Sequence, residues 1–269
     1  MKILVLLLLF LLQINTGGRR KVYGTSYNAC LVSGWPMNEG SGLTLHDVTS
    51  NANTYTLGSV GAGSTAAQWQ TNTGFSGTTL LFKQAAGASA YGSAASTSLL
   101  NFSGTQPFSV AAWIYTTNTT SEMALVSTLN VSNNYQGWEL QRQSNGNTLR
   151  PAFFLINSYP SNAIAVYGIG SGGVGLPTSS VVYVSATYDG SKSASGVHIY
   201  VNGVEEGAYG VPANSLTSNS TGSGLAPKIG ARSDGSDSLD SVIADVAVYN
   251  CVPSTTFWST NYAKGPGIY

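Results

Sequence analysis

The sequence predicts an all-β sandwich with one short helix near its C-terminal end. Three observations carry this reading. From residue 55 onward, short runs rich in β-branched and aromatic residues alternate with Gly, Ser, Asn and Thr turns, and no amphipathic helical stretch interrupts them. The chain has 269 residues, a normal length for a single all-β sandwich, and 42% of them are hydrophobic, enough for a sizeable core. The clearest strand pattern, 241–251, alternates valine and isoleucine with small or polar residues and ends in a cysteine.

Taken in order, the chain opens with Met1-Lys2, an apolar run over 3–12 and small residues at 16–18. This is the pattern of an export leader over 1–18, with an apolar core too short to span a bilayer comfortably. Residues 19–29 form an N-terminal extension with Val22, Tyr23 and Tyr27. They read either as a loose start or as a segment that adds as a strand to a neighbouring molecule's sheet edge. The domain then covers 30–269. Its first strand, 30–37, places Leu31, Trp35 and Met37 on one face; a turn at 39–42 and a polar loop at 47–53 follow. Further strands are expected at 79–83, 108–116, 123–129, 137–142, 152–157, 163–167, 181–188, 197–201 and 228–231. Trp113 is expected in the core with Phe108 and Val110. Asp189-Gly190 and Asn202-Gly203 are turn dipeptides between strands. Pro253 starts the helix, which turns Phe257, Trp258 and Tyr262 inward and stops at Gly265-Pro266.

Composition constrains compartment and partner. Charged residues are only 8%, against a usual value of about 25%. Net charge is zero, which argues against nucleic acid or an anionic membrane as main partner. Cys30 and Cys251 are the two cysteines, and in an exported chain they suit one disulfide; two buried free thiols are the alternative. A bond would set the last strand beside the first. Asn101, Asn118, Asn130 and Asn219 each head an Asn-x-Ser/Thr sequon and are candidate glycan acceptors where the host glycosylates.

Four segments together resemble a family: 31–47, 107–114, 182–203 and 243–250, in that order along the chain. They are similar to the opening, central, late and closing strands of laminin G-like, concanavalin A-like jelly-roll domains. The resemblance implies two antiparallel sheets, one of them concave, with first and last strands adjacent. It also implies a calcium site between the closing strand and the polar loop after the first strand. Of the family's acidic pair Asp245 remains, while Ala244 stands in the other position, so the ligand set reduces to Asp47, Asn51, Asn53 and Asp245. A hard cation needs several oxygens close together, so no cofactor is expected to be required, with Ca²⁺ the one candidate. Asp234, Asp237 and Asp240 read as turn formers or a second oxygen cluster.

No catalytic residue is expected. The sandwich glucanases carry two carboxylates at alternate positions of one strand, whereas Glu139 is followed by Gln141, and Glu205 and Glu206 are adjacent and would point to opposite faces. His46 and His198 have no nucleophile or zinc pattern around them. A sugar platform of Tyr135, Trp138 and Tyr159, with Gln136, Gln141, Arg142 and Asn157 as polar partners, is the candidate ligand site, although Trp138 alternates with Leu140 and also suits the core. The sequence therefore reads as a secreted or cell-surface, non-catalytic structural or adhesive protein that self-assembles. A soluble lectin is the alternative, and a carbohydrate-active hydrolase or lyase the least favoured. The partners are further copies of itself or extracellular glycans, with no membrane span once the leader is removed.

Overall fold

A computed structural model describes residues 30–60, 68–71, 75, 79–82, 84–85, 88–94, 97–145, 148–169 and 176–266. The leader at 1–18 and the extension at 19–29 lie outside the described residues. Strands β1 (Leu31–Trp35), β2 (Thr44–Leu45), β3 (Tyr55–Val60), β4 (Gln68–Gln70), β5 (Thr79–Phe82), β6 (Gln84–Ala85) and β7 (Ala88–Ala94) form the first half. The central strands are β8 (Phe108–Tyr115), β9 (Met123–Ser127), β10 (Gly137–Asn145), β11 (Thr148–Ser158) and β12 (Asn162–Gly168). Then come β13 (Val181–Tyr188), β14 (Val197–Val201), β15 (Val204–Glu205), β16 (Tyr209–Asn214), β17 (Lys228–Ile229), β18 (Ser241–Tyr249) and the helix α1 (Thr255–Lys264).

Among the described residues, the strands form two sheets whose described pairings are all antiparallel. One runs β15-β14-β13-β8-β18-β5-β4 with β1 also on β18; the other runs β16-β12-β11-β10-β9-β17-β7-β3-β2 with β6 on β7. Every long strand alternates, so one parity enters the space between the sheets. Phe108, Val110, Ala112 and Ile114 of β8 face Trp138 and Leu140 of β10 and Phe153 and Leu155 of β11 in one core. Phe108 sits at its centre, 4.4 Å from Phe102, 5.4 Å from Trp138 and 5.6 Å from Phe153 between ring centroids. The Trp138 indole N–H donates to the Leu100 carbonyl at 2.8 Å, which satisfies its polar atom without water.

A second apolar cluster lies on the outer face of the first sheet. Trp113, Tyr183, Tyr200 and Tyr249 project there, and α1 covers them with Trp258, which is fully buried. Trp113 is therefore buried as expected but on the opposite face from Phe108 and Val110, because it has the other parity in β8. Tyr262 is 40% exposed while its ring stacks on Trp113 at 5.7 Å, so it forms a lid over the cluster rather than part of its interior. Gly265, at φ +77°, ends the helix in a backbone region that favours glycine.

Strand β18 is buried along its full length. One edge pairs with β8, while the other is shared by β5 over Ser241–Ile243 and by β1 over Val246–Tyr249. Two irregularities adjust the register. In β18 the pairing to β8 shifts between Ala244 and Ala247, around Asp245 at φ +52°. In β1 it shifts between Leu31 and Ser33, which turns Leu31 to the outer cluster with Cys30 and Cys251 and leaves Val32, Trp35 and Met37 inside. The expectation that Leu31 shares a face with Trp35 is corrected by this one-residue shift. Cys30 and Cys251, 221 positions apart in sequence, form a disulfide with Cα atoms 5.9 Å apart.

Loss of this bond by Cys251→Ser, paired with Cys30→Ser, is expected to lower stability by about 2–5 kcal/mol, read as a denaturant midpoint shift. Trp258→Ala is expected to cost about 3–5 kcal/mol in the same assay, because the emptied space lies between three tyrosine rings. Equal midpoints for wild type and Trp258→Ala would show that α1 is not part of the cooperative core.

Candidate ligand-binding face

The outer face of the second sheet is built in rows. Glu139 pairs with Ser127 on β9 and Phe154 on β11, Phe154 with Ala165 on β12, and Ala165 with Ala213 on β16. The next row holds Gln141, Ala152, Tyr167 and Gly210, and the row on the other side holds Gly137, Ile156 and Ala163. Phe154 and Ile156 pack with Leu129 and the alanines into a small apolar floor. The Tyr167 ring lies over Gly210, where a Cβ would collide with it, and the Arg150 guanidinium stands 5.2 Å from the same ring.

Tyr135 and Tyr159 stand beyond the Gly137–Ile156 row. Both are exposed, with ring centroids 6.5 Å apart and planes at 72°. One backbone bond ties their loops together, Tyr159 N–H donating to the Asn134 carbonyl at 3.1 Å, and a second, from Asn130 N–H to the Gln136 carbonyl at 2.8 Å, closes the turn that carries Tyr135. Asn134 and Tyr135 are both left-handed, at φ +49° and +61°. A bulky aromatic residue in that region is an outlier, and such strain concentrates at working sites. Gln136 and Asn157 converge on one acceptor, the Ser220 carbonyl, at 3.0 and 2.6 Å. Four loops thus meet here, since Val131 N–H also donates to Ser233 Oγ at 3.1 Å.

Trp138, proposed with the two tyrosines as a platform, is instead fully buried in the inter-sheet core. Its parity in β10 decides this, as it does for Leu140. Gln141 and Arg142 are also buried and do not line the platform. Arg142 donates to the Asn118 and Ser121 carbonyls at 2.8 and 2.9 Å, and burial brings its pKa down to about 10.

Beneath the platform lies a charged cluster that the sequence did not announce. Arg232 holds both oxygens of the fully buried Glu139 through Nε and Nη2, at 2.9–3.2 Å. Its Nη1 lies 2.6 Å from Asp237 Oδ2, and its guanidinium stands 5.6 Å from the Tyr135 ring centroid. Gln141 Nε2 completes the group on Asp237 Oδ2 at 3.1 Å. Burial holds the Glu139 carboxyl above its ordinary value, although Arg232 pulls it down. Burial opposes the Arg232 charge, but Glu139 and Asp237 outweigh it and hold the guanidinium protonated. With both oxygens engaged and no exposure, Glu139 presents no oxygen to a sugar arriving from solvent. Arg232 is 93 residues from Glu139 in sequence, so no local pattern links the two.

The remaining site residues are scattered. Asp47 accepts from Gly34 N–H, Thr49 N–H, Thr49 Oγ1 and Asn53 N–H at 2.9–3.0 Å, the role of a loop organiser. Asn51 Nδ2 donates to the Val32 carbonyl, and the Asn53 carbonyl accepts the Trp35 indole N–H. Asp245 sits in the β18 bulge and acts electrostatically on Tyr183 of the outer cluster, whereas Asp47 acts on Tyr55 of the inter-sheet core. Among the described residues, no three His, Cys, Asp or Glu side chains gather as metal ligands. Asp234, Asp237 and Asp240 serve Ser236 N–H, Arg232 and Asn118 separately. His198 Nδ1 meets Glu205 Oε1 at 2.6 Å, half-exposed at the edge of the first sheet. Of the sequon residues, Asn101, Asn118 and Asn130 are half-buried and Asn219 is exposed.

Arg232→Met is expected to cost about 3–5 kcal/mol at pH 7, because it strands the Glu139 charge. With Arg232 gone, its downward pull is lost and burial dominates, so the folded pKa of Glu139 lies above the unfolded value of about 4.3. The deficit should be small below that pH and grow as pH rises through the folded pKa, measured by denaturant titrations from pH 4 to pH 8. A deficit independent of pH would place its origin in packing.

The comparisons with known proteins agree with this architecture. No curated protein matches the sequence. The binding domain of botulinum neurotoxin serotype G superposes with a TM-score of 0.58 at 15% identity, over 87% of this chain and 50% of that one. The binding domain of Paraclostridial Mosquitocidal Protein 1 gives 0.60 at 13% identity, over 88% and 52%. Domain 4 of AbnA, a GH43 extracellular arabinanase from Geobacillus stearothermophilus in complex with arabinotriose, gives 0.54 at 15% identity, over 86% and 97%. The chain spans about half the length of the toxin binding domains it matches, and at these identities the likeness is one of fold. The family model of the concanavalin A-like lectin/glucanases superfamily matches residues 86–256, well over half of the sequence. With both its sheets and its sequence accounted for in this way, the chain belongs to the concanavalin A-like lectin/glucanase superfamily.

Proposed function

We propose that the chain is a non-catalytic extracellular binding protein that takes a glycan against the Tyr135–Tyr159 platform. The observation that carries this reading is the pair of exposed tyrosines fixed by a backbone hydrogen bond between their loops, with Tyr135 in a strained conformation. Flat aromatic faces flanked by neutral amides suit sugar rings, whose C–H faces are apolar and whose hydroxyls both donate and accept. The fold neighbours add support: domain 4 of AbnA is described with arabinotriose, and a botulinum neurotoxin DC binding domain with SialylT. The leader pattern at 1–18 and the disulfide suit an oxidising, extracellular address. Self-assembly into a surface polymer rests on the extension at 19–29, outside the described residues, and the fold adds nothing to it. The platform therefore moves the lectin reading ahead of the polymer reading. A calcium ion at Asp47, Asn51, Asn53 and Asp245 would have to compete with the four donors already on Asp47, which supports binding without a cofactor.

A glycan array carrying neutral and sialylated oligosaccharides, arabinotriose included, is expected to give at least one specific ligand. Tyr135→Ala should weaken it by about tenfold or more, or about 1.4 kcal/mol, with the melting temperature unchanged. No binding across the array, or equal binding by Tyr135→Ala, would overturn the proposal. Melting temperatures in excess calcium and in chelator are expected to coincide; a rise with calcium would return the Asp47 loop to the functional account.

A further inference from the structure

We infer that Asn219 is a glycan acceptor of this chain and that Asn118 is not, although both head an Asn-x-Thr sequon. Modification replaces one amide hydrogen on Nδ2 by a bulky hydrated sugar. The finished fold must therefore leave that hydrogen free and the space beyond it open to solvent.

Asn118 meets neither condition. Both of its Nδ2 hydrogens are engaged, by Ser121 Oγ and by Asp240 Oδ2 at 3.3 Å each. Its Oδ1 accepts from Thr120 N–H and Ser121 N–H at 3.0 Å and from Arg142 Nη2 at 3.2 Å. The side chain is thus the hub through which the Asp240 carboxylate faces the buried Arg142 guanidinium. A sugar on Nδ2 would displace Asp240 and disturb the same amide whose oxygen accepts from the buried Arg142 guanidinium, and unpairing a buried polar group is costly.

Asn219 is the opposite case. It is exposed, and the hydrogen bonds of its loop run through backbone and neighbouring side chains. Its carbonyl accepts from Gly104 N–H at 2.9 Å and from Thr221 N–H at 3.1 Å, which fixes the loop without the side-chain amide. Ser220, the next residue, offers its carbonyl to Gln136 and Asn157, so a glycan on Asn219 would rise at the rim of the tyrosine platform. The inference does not depend on that platform binding anything.

The third sequon position sets the timing. Thr221 is fully buried and its hydroxyl donates to the Phe102 carbonyl at 2.8 Å. A transferase that reads this hydroxyl must act before the loop docks on residues 102–104. In that step the Asn219 amide nitrogen bonds to the anomeric carbon of a polyprenyl-diphosphate-linked glycan. The carbon–oxygen bond to the diphosphate breaks, the diphosphate leaves, and the amide proton passes to a base of the transferase.

The test is to direct the full chain through a eukaryotic secretory pathway with the host's own leader and map glycopeptides by mass spectrometry. The expected result is glycan on the peptide containing Asn219 and only unmodified Asn118. Asn219→Gln should remove one glycan mass and leave the melting temperature of the deglycosylated protein within about a degree, as for an exposed substitution away from special features. Asn118→Gln should change no glycan mass. An unmodified Asn219 peptide, or folded secreted protein carrying glycan on Asn118, overturns the inference; both are read on the wild-type chain, so neither depends on a variant folding.

Discussion

Strand β18 is hydrogen-bonded along both edges, and those edges gather the chain. β8 occupies one side; β5 and β1 divide the other between them. The last strand therefore joins the beginning, the first third and the middle of the sequence. Its two faces are both apolar, Ile243, Val246 and Val248 toward the sheet interface and Ala244, Ala247 and Tyr249 toward α1. Removing β18 would open two hydrophobic clusters and free a run of backbone groups on three neighbours, a cost no local rearrangement could offset. The irregularity at Asp245 lets one strand serve both β5 and β1, because it re-aims the chain between the two pairings.

With the first sheet closed in this way, the second is free to hold a different kind of surface. Its inner parity completes the main core. Its outer parity carries Phe154 and Ile156 among alanines, an apolar floor with Tyr135, Tyr159 and Tyr167 around it. The Glu139–Arg232–Asp237 cluster lies beneath the Tyr135–Tyr159 platform and braces the 232–237 loop against the sheet. Two carboxylates surround the one guanidinium of that cluster, so Arg232 is neutralised within it.

The architecture was legible because a strand's period of two is local: Val181–Tyr188 and Val197–Val201 stand where the alternation put them. Trp113 shows the limit. Alternation says that Phe108 and Trp113 point oppositely, but a strand apolar on both faces hides which side is the main core until α1 is placed above it. Of the two-residue strands, β2, β6 and β15 carry too little pattern to be seen, whereas β17 lies in the expected run 228–231. The site was half legible for a similar reason. Tyr135 and Tyr159 stood out as aromatics beside turns, whereas Trp138 has the same chemistry and the wrong parity. Arg232 and Ser220 carry no signal for the site, since Glu139, Gln136 and Asn157, the partners that draw them into it, lie 63 to 93 residues away and only the fold introduces them.

The disulfide has a mechanical consequence. It ties Cys30 to Cys251, the points where the chain enters and leaves the sandwich. Tension applied to the two flanks would travel through the sulfur–sulfur bond and bypass the 220 residues between, leaving the strands unloaded. Under such a pull only α1 would peel away, exposing Trp113 and its neighbouring tyrosines while the opposite sheet kept its shape. A protein anchored at one end and loaded at the other would keep its tyrosine-edged face intact under force.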